Sequence, residues 1–172
     1  MDVLFYIAAC IAVISTLMVI IQLNPVHALL YLVVSLLSIA LIFLLLGAHF
    51  AAALEVIVYA GAIMVLFVFV VMMLNLGPGS SGEERRWLPV HMWSGPLLLS
   101  AALLAELIYV LAGGGQPVGM REVGPEEVGL ALYGPYLLGV ELASLLLLSG
   151  LIGAYHLGRR GQAGRVRGEE ST

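Results

Sequence analysis

The chain has no lysine and a single cysteine among its 172 residues, and only 10% of those residues are charged. Each shortage excludes something. Cys10 has no partner for an internal disulfide and lies in an apolar run, where it reads as a small packing side chain. Seven arginines supply all the fixed positive charge, the formal net charge is −4, and four of those arginines fall after residue 158. That pattern offers no basic face for nucleic acid. A soluble domain would carry about 25% charged residues, so the chain is not one. There is no phosphate loop, no dinucleotide fingerprint, no CxxC pair and no plausible haem ligand pair. His27, His49, His91 and His156 have no second ligand at metal spacing. His27 and His49 are expected at helix ends near water, and His91 and His156 near a membrane interface.

What the chain has is hydrophobic length. Apolar residues make up 62% of it. They fall into five runs, each near the ~20 residues that a helical membrane span needs. No alternating barrel pattern and no internal repeat is visible. The fold class is therefore an all-α integral membrane protein with five transmembrane helices, about 3–23, 26–46, 50–74, 90–112 and 134–156, in a membrane domain over 1–158. An Arg-rich tail, 159–172, follows and is expected to be soluble. The opening Met1-Asp2 has no basic region and no cleavage site, so the first run is a retained helix and not a signal peptide. Asn24-Pro25 places a cap and a first-turn proline ahead of span 2. Gly47-Ala48-His49 is a tight turn that makes spans 2 and 3 antiparallel neighbours. Pro89 and Pro96 both fit the first turn of span 4. Gly113 to Tyr133 is a long Gly/Pro-rich connection.

Arginine placement orients the spans. Arg85, Arg86, Arg159, Arg160, Arg165 and Arg167 share one side, and only Arg121 lies on the other. By the positive-inside rule the C-terminus is expected to be cytoplasmic and the N-terminus periplasmic, or on the equivalent outer side. Trp87, Trp93 and Tyr155 then fall at the inner interface. Tyr6, Tyr109, Tyr133 and Tyr136 fall at the outer one, as an aromatic belt requires.

Three acidic residues lie inside spans: Glu55, Glu106 and Glu141. An acid at the centre of a spanning helix costs roughly 2.5–3.5 kcal/mol on insertion scales. At about 1.5 Å per residue, all three lie ~7–11 Å below the outer surface. No arginine or intramembrane histidine shares that depth. Each group is therefore neutral, hydrated, or paired with a cation on another chain; alternatively each only snorkels or makes one helix-to-helix hydrogen bond. In span 3, Glu55 and Tyr59 are four apart and share a helix face. Gly61, flanked by Ala60 and Ala62, is either a packing notch or a place where a π-bulge shifts register, at about 1 kcal/mol against alanine. Gly139, Ala143, Ser149, Gly150, Gly153 and Ala154 give span 5 a small-residue face for close packing. Ser35 and Ser38 read as ordinary helix-to-helix hydrogen bonds.

Glu55 to Asn75, with its core Tyr59-Ala-Gly61-Ala-Ile-Met-Val-Leu-Phe-Val-Phe, resembles the third helix of the J-type membrane subunit of bacterial complex I, the proton-pumping NADH:quinone oxidoreductase whose mitochondrial counterpart is subunit 6. Val128-Gly-Leu-Ala-Leu-Tyr133-Gly-Pro135-Tyr136, followed by Glu141-Leu-Ala-Ser144, is similar to its fifth helix, and Asn24-Pro25-Val26-His27 to its span-2 start. Glu106 matches no motif of the family. The resemblance implies a membrane-arm subunit without a redox centre or bound cofactor. NADH, FMN, Fe–S clusters and quinone would be held elsewhere in the complex. It implies partners in the membrane arm and the quinone module, and a π-bulged third helix that helps couple quinone reduction to proton translocation. Glu55, Tyr59, Gly61, Glu141 and Glu106 are the expected proton-pathway or gating residues. The competing readings are an assembly subunit whose polar residues only specify packing, and a stand-alone transporter. The second is disfavoured by the missing inverted repeat.

The topology has a direct check. On a Cys10→Ser background, cysteines placed at Ser80 and at Ser171 should both resist impermeant thiol reagents in intact cells. Outside labelling of either position would overturn the orientation.

Overall fold

A computed structural model describes residues 2–73, 93–114 and 122–169, with side chains to residue 158. The described residues are helical with no strand. The elements in order are α1 (Asp2–Ile21), α2 (Pro25–Leu45), α3 (His49–Leu54), the π-helix π1 (Glu55–Ile63), α4 (Met64–Met73), α5 (Ser94–Tyr109), a short π-helix π2 (Val110–Gly114), α6 (Pro125–Tyr133) and α7 (Leu137–Glu169). Five stretches are long and apolar enough to cross a membrane: Asp2–Ile21, Pro25–Leu45, His49–Met73, Ser94–Gly113 and Leu137–Gly158. These are the five expected spans, with ends displaced by a few residues, as helix ends commonly are. The loop over 77–89, with Pro89 and Trp87, and His91 and Arg121 lie outside the described residues.

The chain divides into two units, Met1–Gly124 and Pro125–Thr172. In the first, α2 is the common partner, packing on α1, α3, π1, α4 and α5. Local chemistry explains why α2 stands where it does. Asn24 caps it, its Oδ1 accepting from the Val26 N–H at 2.9 Å, and Pro25 occupies the first turn, whose N–H would have no helical partner anyway. At the other end Gly47 adopts φ +79°. Its N–H donates to the Leu44 carbonyl and the Ala48 N–H to Phe43, which closes the helix and reverses the chain into α3. The Val123 N–H reaches the Gly47 carbonyl at 3.2 Å, so the segment ahead of α6 is tied to the same turn.

The apolar centre of this unit is Ala8, Leu41, Leu45 and Leu103, with Leu4, Phe5, Leu37, Leu107 and Val110 packed around it. It joins α1, α2 and α5 toward the C-terminal end of α2. In lipid such a cluster holds helices by close packing, because hydrocarbon is as apolar as leucine. Thr16 and Ser35 add a cross-helix hydrogen bond of 2.8 Å, and Ser35 also donates to Ala12 O at 3.4 Å. Bonds of this kind contribute on average about 0.6 kcal/mol in membranes. Ser38 instead bonds within its own helix, to Val34 O.

His27 departs from expectation. It stands in the first turn of α2 but is only 2% exposed, with its ring edge-on to Trp93 at a centroid distance of 5.8 Å. Proximity to a helix end does not give access to water when the next helix begins beside it. One turn on, the Tyr31 hydroxyl lies over Gly95, and a Cβ at that position would overlap it.

In the second unit, Pro125 opens α6 with Glu126 and Glu127 in its first turn. This helix lies within the Gly/Pro-rich stretch expected to be a connection, and its first-turn proline followed by acids is a helix-start signal. Gly134 and Pro135 separate it from α7, where a Cβ on Gly134 would stand 2.7 Å from the Leu130 carbonyl. The α7 backbone stays helical to Glu169, past the end of the apolar run, with no proline to stop it.

The Tyr31–Gly95 contact predicts a coupled pair. Gly95→Ala should lower the melting temperature of the purified chain in detergent, by about 1–3 kcal/mol of overpacking. Tyr31→Phe should recover part of that loss in the double variant. Additive losses in the two single variants would mean that the residues do not touch.

Candidate functional site

Span 3 is continuous but not uniformly α-helical. Up to its sixth residue it follows α geometry, and the Glu55 N–H still donates to the Ala51 and Ala52 carbonyls. From Glu55 to Ile63 it is π-helical, and at its far end the Met64 N–H donates to the Tyr59 carbonyl, five residues back, and to Gly61. π segments are mostly single-turn bulges found at functional sites, so a nine-residue one is unusual.

The side chains record the register change. Ala52 and Met64 are buried, at 6% and 2% exposure, and Glu55, Ala60 and Gly61 are half-buried between them. An uninterrupted α-helix carrying Ala52 and Glu55 on its inward face would next present Tyr59 and Ile63. Those two are instead 50% and 37% exposed. The π segment thus inserts one extra residue into the inward stripe, and Ala60 and Met64 take the places that α periodicity gives to Tyr59 and Ile63. The expectation that Glu55 and Tyr59 share a face assumed that periodicity. Gly61 stands where a Cβ would be 3.2 Å from the Val56 carbonyl oxygen, five residues earlier. That is a tight approach to backbone, so glycine suits the π register and a side chain opposes it.

Glu106 lies on α5 between Leu103 and Leu107, beside the apolar cluster. It is 6% exposed, and neither carboxyl oxygen has a hydrogen-bond partner. No lysine or arginine is present among the described residues of the first unit. Its carbonyl accepts from the Val110 N–H, at the point where α5 passes into π2. Gly113 then ends the helix at φ +89°. Glu55 and Glu106 therefore stand on two elements that both pack on α2. Glu141 belongs to the second unit, where it is exposed and its carbonyl accepts from the Ser144 hydroxyl at 2.7 Å. The small residues of span 5, Gly139, Ala143, Ser149, Gly150, Gly153 and Ala154, are exposed as well.

Sequence reasoning missed two buried groups. Ser15 is 0% exposed with no partner for its hydroxyl, and His27 is buried with Nδ1 unpartnered. A signal for His27 was present: it falls on one α2 face with Tyr31, Ser35 and Ser38, at helical spacing. Among the described residues no group of histidine, cysteine and acidic side chains could hold a metal ion.

The sequence was compared with known proteins. The model of NADH-ubiquinone/plastoquinone oxidoreductase chain 6 matches residues 15–157. NADH-quinone oxidoreductase subunit J of Pseudomonas aeruginosa is 60% identical over 162 residues, which cover 93% of this chain and 98% of that protein. Subunit J of Escherichia coli is 54% identical over 167 residues, 96% of this chain and 91% of that one. That of Rhodobacter capsulatus is 39% identical over 158 residues, covering 87% and 77%. The chain therefore belongs to the chain 6 family of NADH-ubiquinone/plastoquinone oxidoreductases.

Proposed function

We propose that the chain is a membrane-arm subunit of a proton-translocating NADH:quinone oxidoreductase, and that it helps couple quinone reduction to proton translocation through buried carboxylates and a flexible third helix. It has no redox centre of its own in this reading. NADH, FMN, Fe–S clusters and quinone bind elsewhere in the complex, and its partners are other membrane-arm and quinone-module subunits. It is a multi-pass protein of the bacterial inner membrane, with the N-terminus periplasmic and the C-terminus cytoplasmic.

The observation that carries the coupling half is the extra residue in the inward stripe of span 3. Removing it, by converting Glu55–Ile63 from π to α, rotates everything beyond by about 100°, the turn of one helical residue. Tyr59 would swing inward past Glu55, and α4 would turn with it. The exchange keeps backbone hydrogen bonds, trading partners five residues back for partners four back, so its cost is small for its reach. Glu55 stands at the start of the moving segment, so the motion carries a carboxyl group with it. Glu55, Glu106 and Glu141 are the acids of the proton pathway in this reading, with Tyr59 and Gly61 as the gating elements. The exposed small-residue stripe of span 5 fits a face that packs against a neighbouring subunit.

The test separates coupling from packing. In membranes carrying Gly61→Val, and separately Glu55→Gln, three quantities are measured: assembled complex, NADH oxidation with an artificial electron acceptor, and quinone-linked turnover with proton pumping. Val crowds the Val56 carbonyl and disfavours the π register. Assembly and the artificial-acceptor reaction should survive while quinone turnover and pumping fall together. Activity lost only in proportion to assembled complex would return span 3 to a structural role.

A further inference from the structure

Helix α7 carries two opposed faces that its own unit leaves unused. Its span, Leu137–Gly158, has no buried residue. Glu141 stands one turn inside that span, with Ser144 three residues on along the same face. The Ser144 hydroxyl donates to the Glu141 carbonyl, so it does not serve the carboxyl group. Among the described residues no hydrogen bond or ion pair reaches that carboxyl. The chain has no lysine, and none of its arginines falls within the five spans. Acids in spanning helices are costly, and they almost always turn from lipid and pair with another group. On the same face Leu137 and Leu145 lie one turn to either side, so a partner meets a single acid in an apolar frame. At about 100° per residue, Gly139, Ala143, Gly150 and Ala154 fall on the opposite face. A Cβ added at Gly139 or Gly150 would meet no atom within 4 Å. Glycine weakens a helix interior relative to alanine, and nothing in α6 or α7 accounts for it here. Small residues four apart serve the close approach of a second helix in membranes. The two faces thus call for different contacts: backbone packing on one, a charge on the other.

We infer that the Glu141–Ser144 face docks a spanning helix of another subunit, and that this helix presents an arginine or lysine at the depth of Glu141. That subunit belongs to the oxidoreductase of the membrane-arm reading above, on which the pairing rests. A cation matches the acid where a hydroxyl or amide would not, because a buried charge is stable only when it is paired. The cation must come from another chain, since no arginine or lysine of this one lies within a span. One acid among leucines also fixes the height at which the partner helix sits, as a single polar contact does in an otherwise apolar interface.

Two measurements on the whole oxidoreductase decide it. A density map of the enzyme in lipid nanodiscs should show an arginine or lysine nitrogen of another subunit within about 4 Å of a Glu141 carboxyl oxygen. Lipid tails against Glu141, or only uncharged or acidic side chains there, overturn the proposal. In membranes carrying Glu141→Leu, the amount of this chain, the amount of assembled complex and the quinone-linked turnover per complex are measured. Leucine favours insertion over glutamate, so the chain itself should remain in the membrane. Assembled complex should fall about tenfold, because removing one member of a buried pair leaves the other charge uncompensated. Glu141→Asp, which keeps the charge, should largely restore it. Full assembly with Glu141→Leu refutes the docking, as expected of an acid that only snorkels. If that fully assembled variant turns over quinone slowly, the docking fails and the proton-pathway reading stands. If it also works at the wild-type rate, both fail at Glu141. A loss of assembly with unchanged turnover in the remaining complex supports the docking and removes Glu141 from the proton pathway.

Discussion

Inside a bilayer no water is available to a peptide group that loses its partner, so every backbone N–H and C=O must be satisfied by protein. That constraint leaves a spanning helix few ways to change shape. It can kink at a proline, or it can shift its hydrogen bonds by one residue. Span 3 has no proline between Phe50 and Met73. It shifts register instead, and the Met64 N–H finds the Tyr59 carbonyl where an α-helix would have offered Ala60. The inward placement of Ala60 and Met64, the half exposure of Tyr59 and the fit of Gly61 against Val56 all follow from that choice.

Around that helix, α2 acts as the frame. Its ends are fixed by side-chain and backbone caps, Asn24 at one and Gly47 at the other, and its sides contact every other helix of the first unit up to α5. Two kinds of chemistry meet on it. It supports the π segment with Glu55, and it supports α5 with the unpartnered Glu106. The hydrogen bonds it makes are individually weak, so the frame depends on close contacts such as Tyr31 against Gly95.

Much of this was legible in the sequence, for physical reasons. Five apolar runs near bilayer thickness can hardly be anything but helices, and Asn-Pro and Gly-Ala-His read correctly as a start and a turn because caps are local. The position of the π segment was legible only as an alternative, since Gly61 serves a packing notch as well as a bulge. Its nine-residue length was not legible, because no residue type in Glu55–Ile63 marks where an i→i+5 pattern begins or ends. His27 was misplaced for a related reason: burial at a helix end is decided by Trp93 and α5, more than sixty residues away in the chain. Helix α6 was overlooked because glycine and proline nearby masked a proper start at Pro125-Glu126-Glu127.

The account turns on one extra residue, and the register of span 3 in the working enzyme is its most direct measure. Density maps of the intact oxidoreductase would be compared at rest and during turnover with NADH and quinone. The account predicts that Glu55–Ile63 is π-helical in one state, with Ala60 and Met64 inward, and α-helical in the other, with Tyr59 and Ile63 inward. The same register in both states, whether π or α, would contradict it.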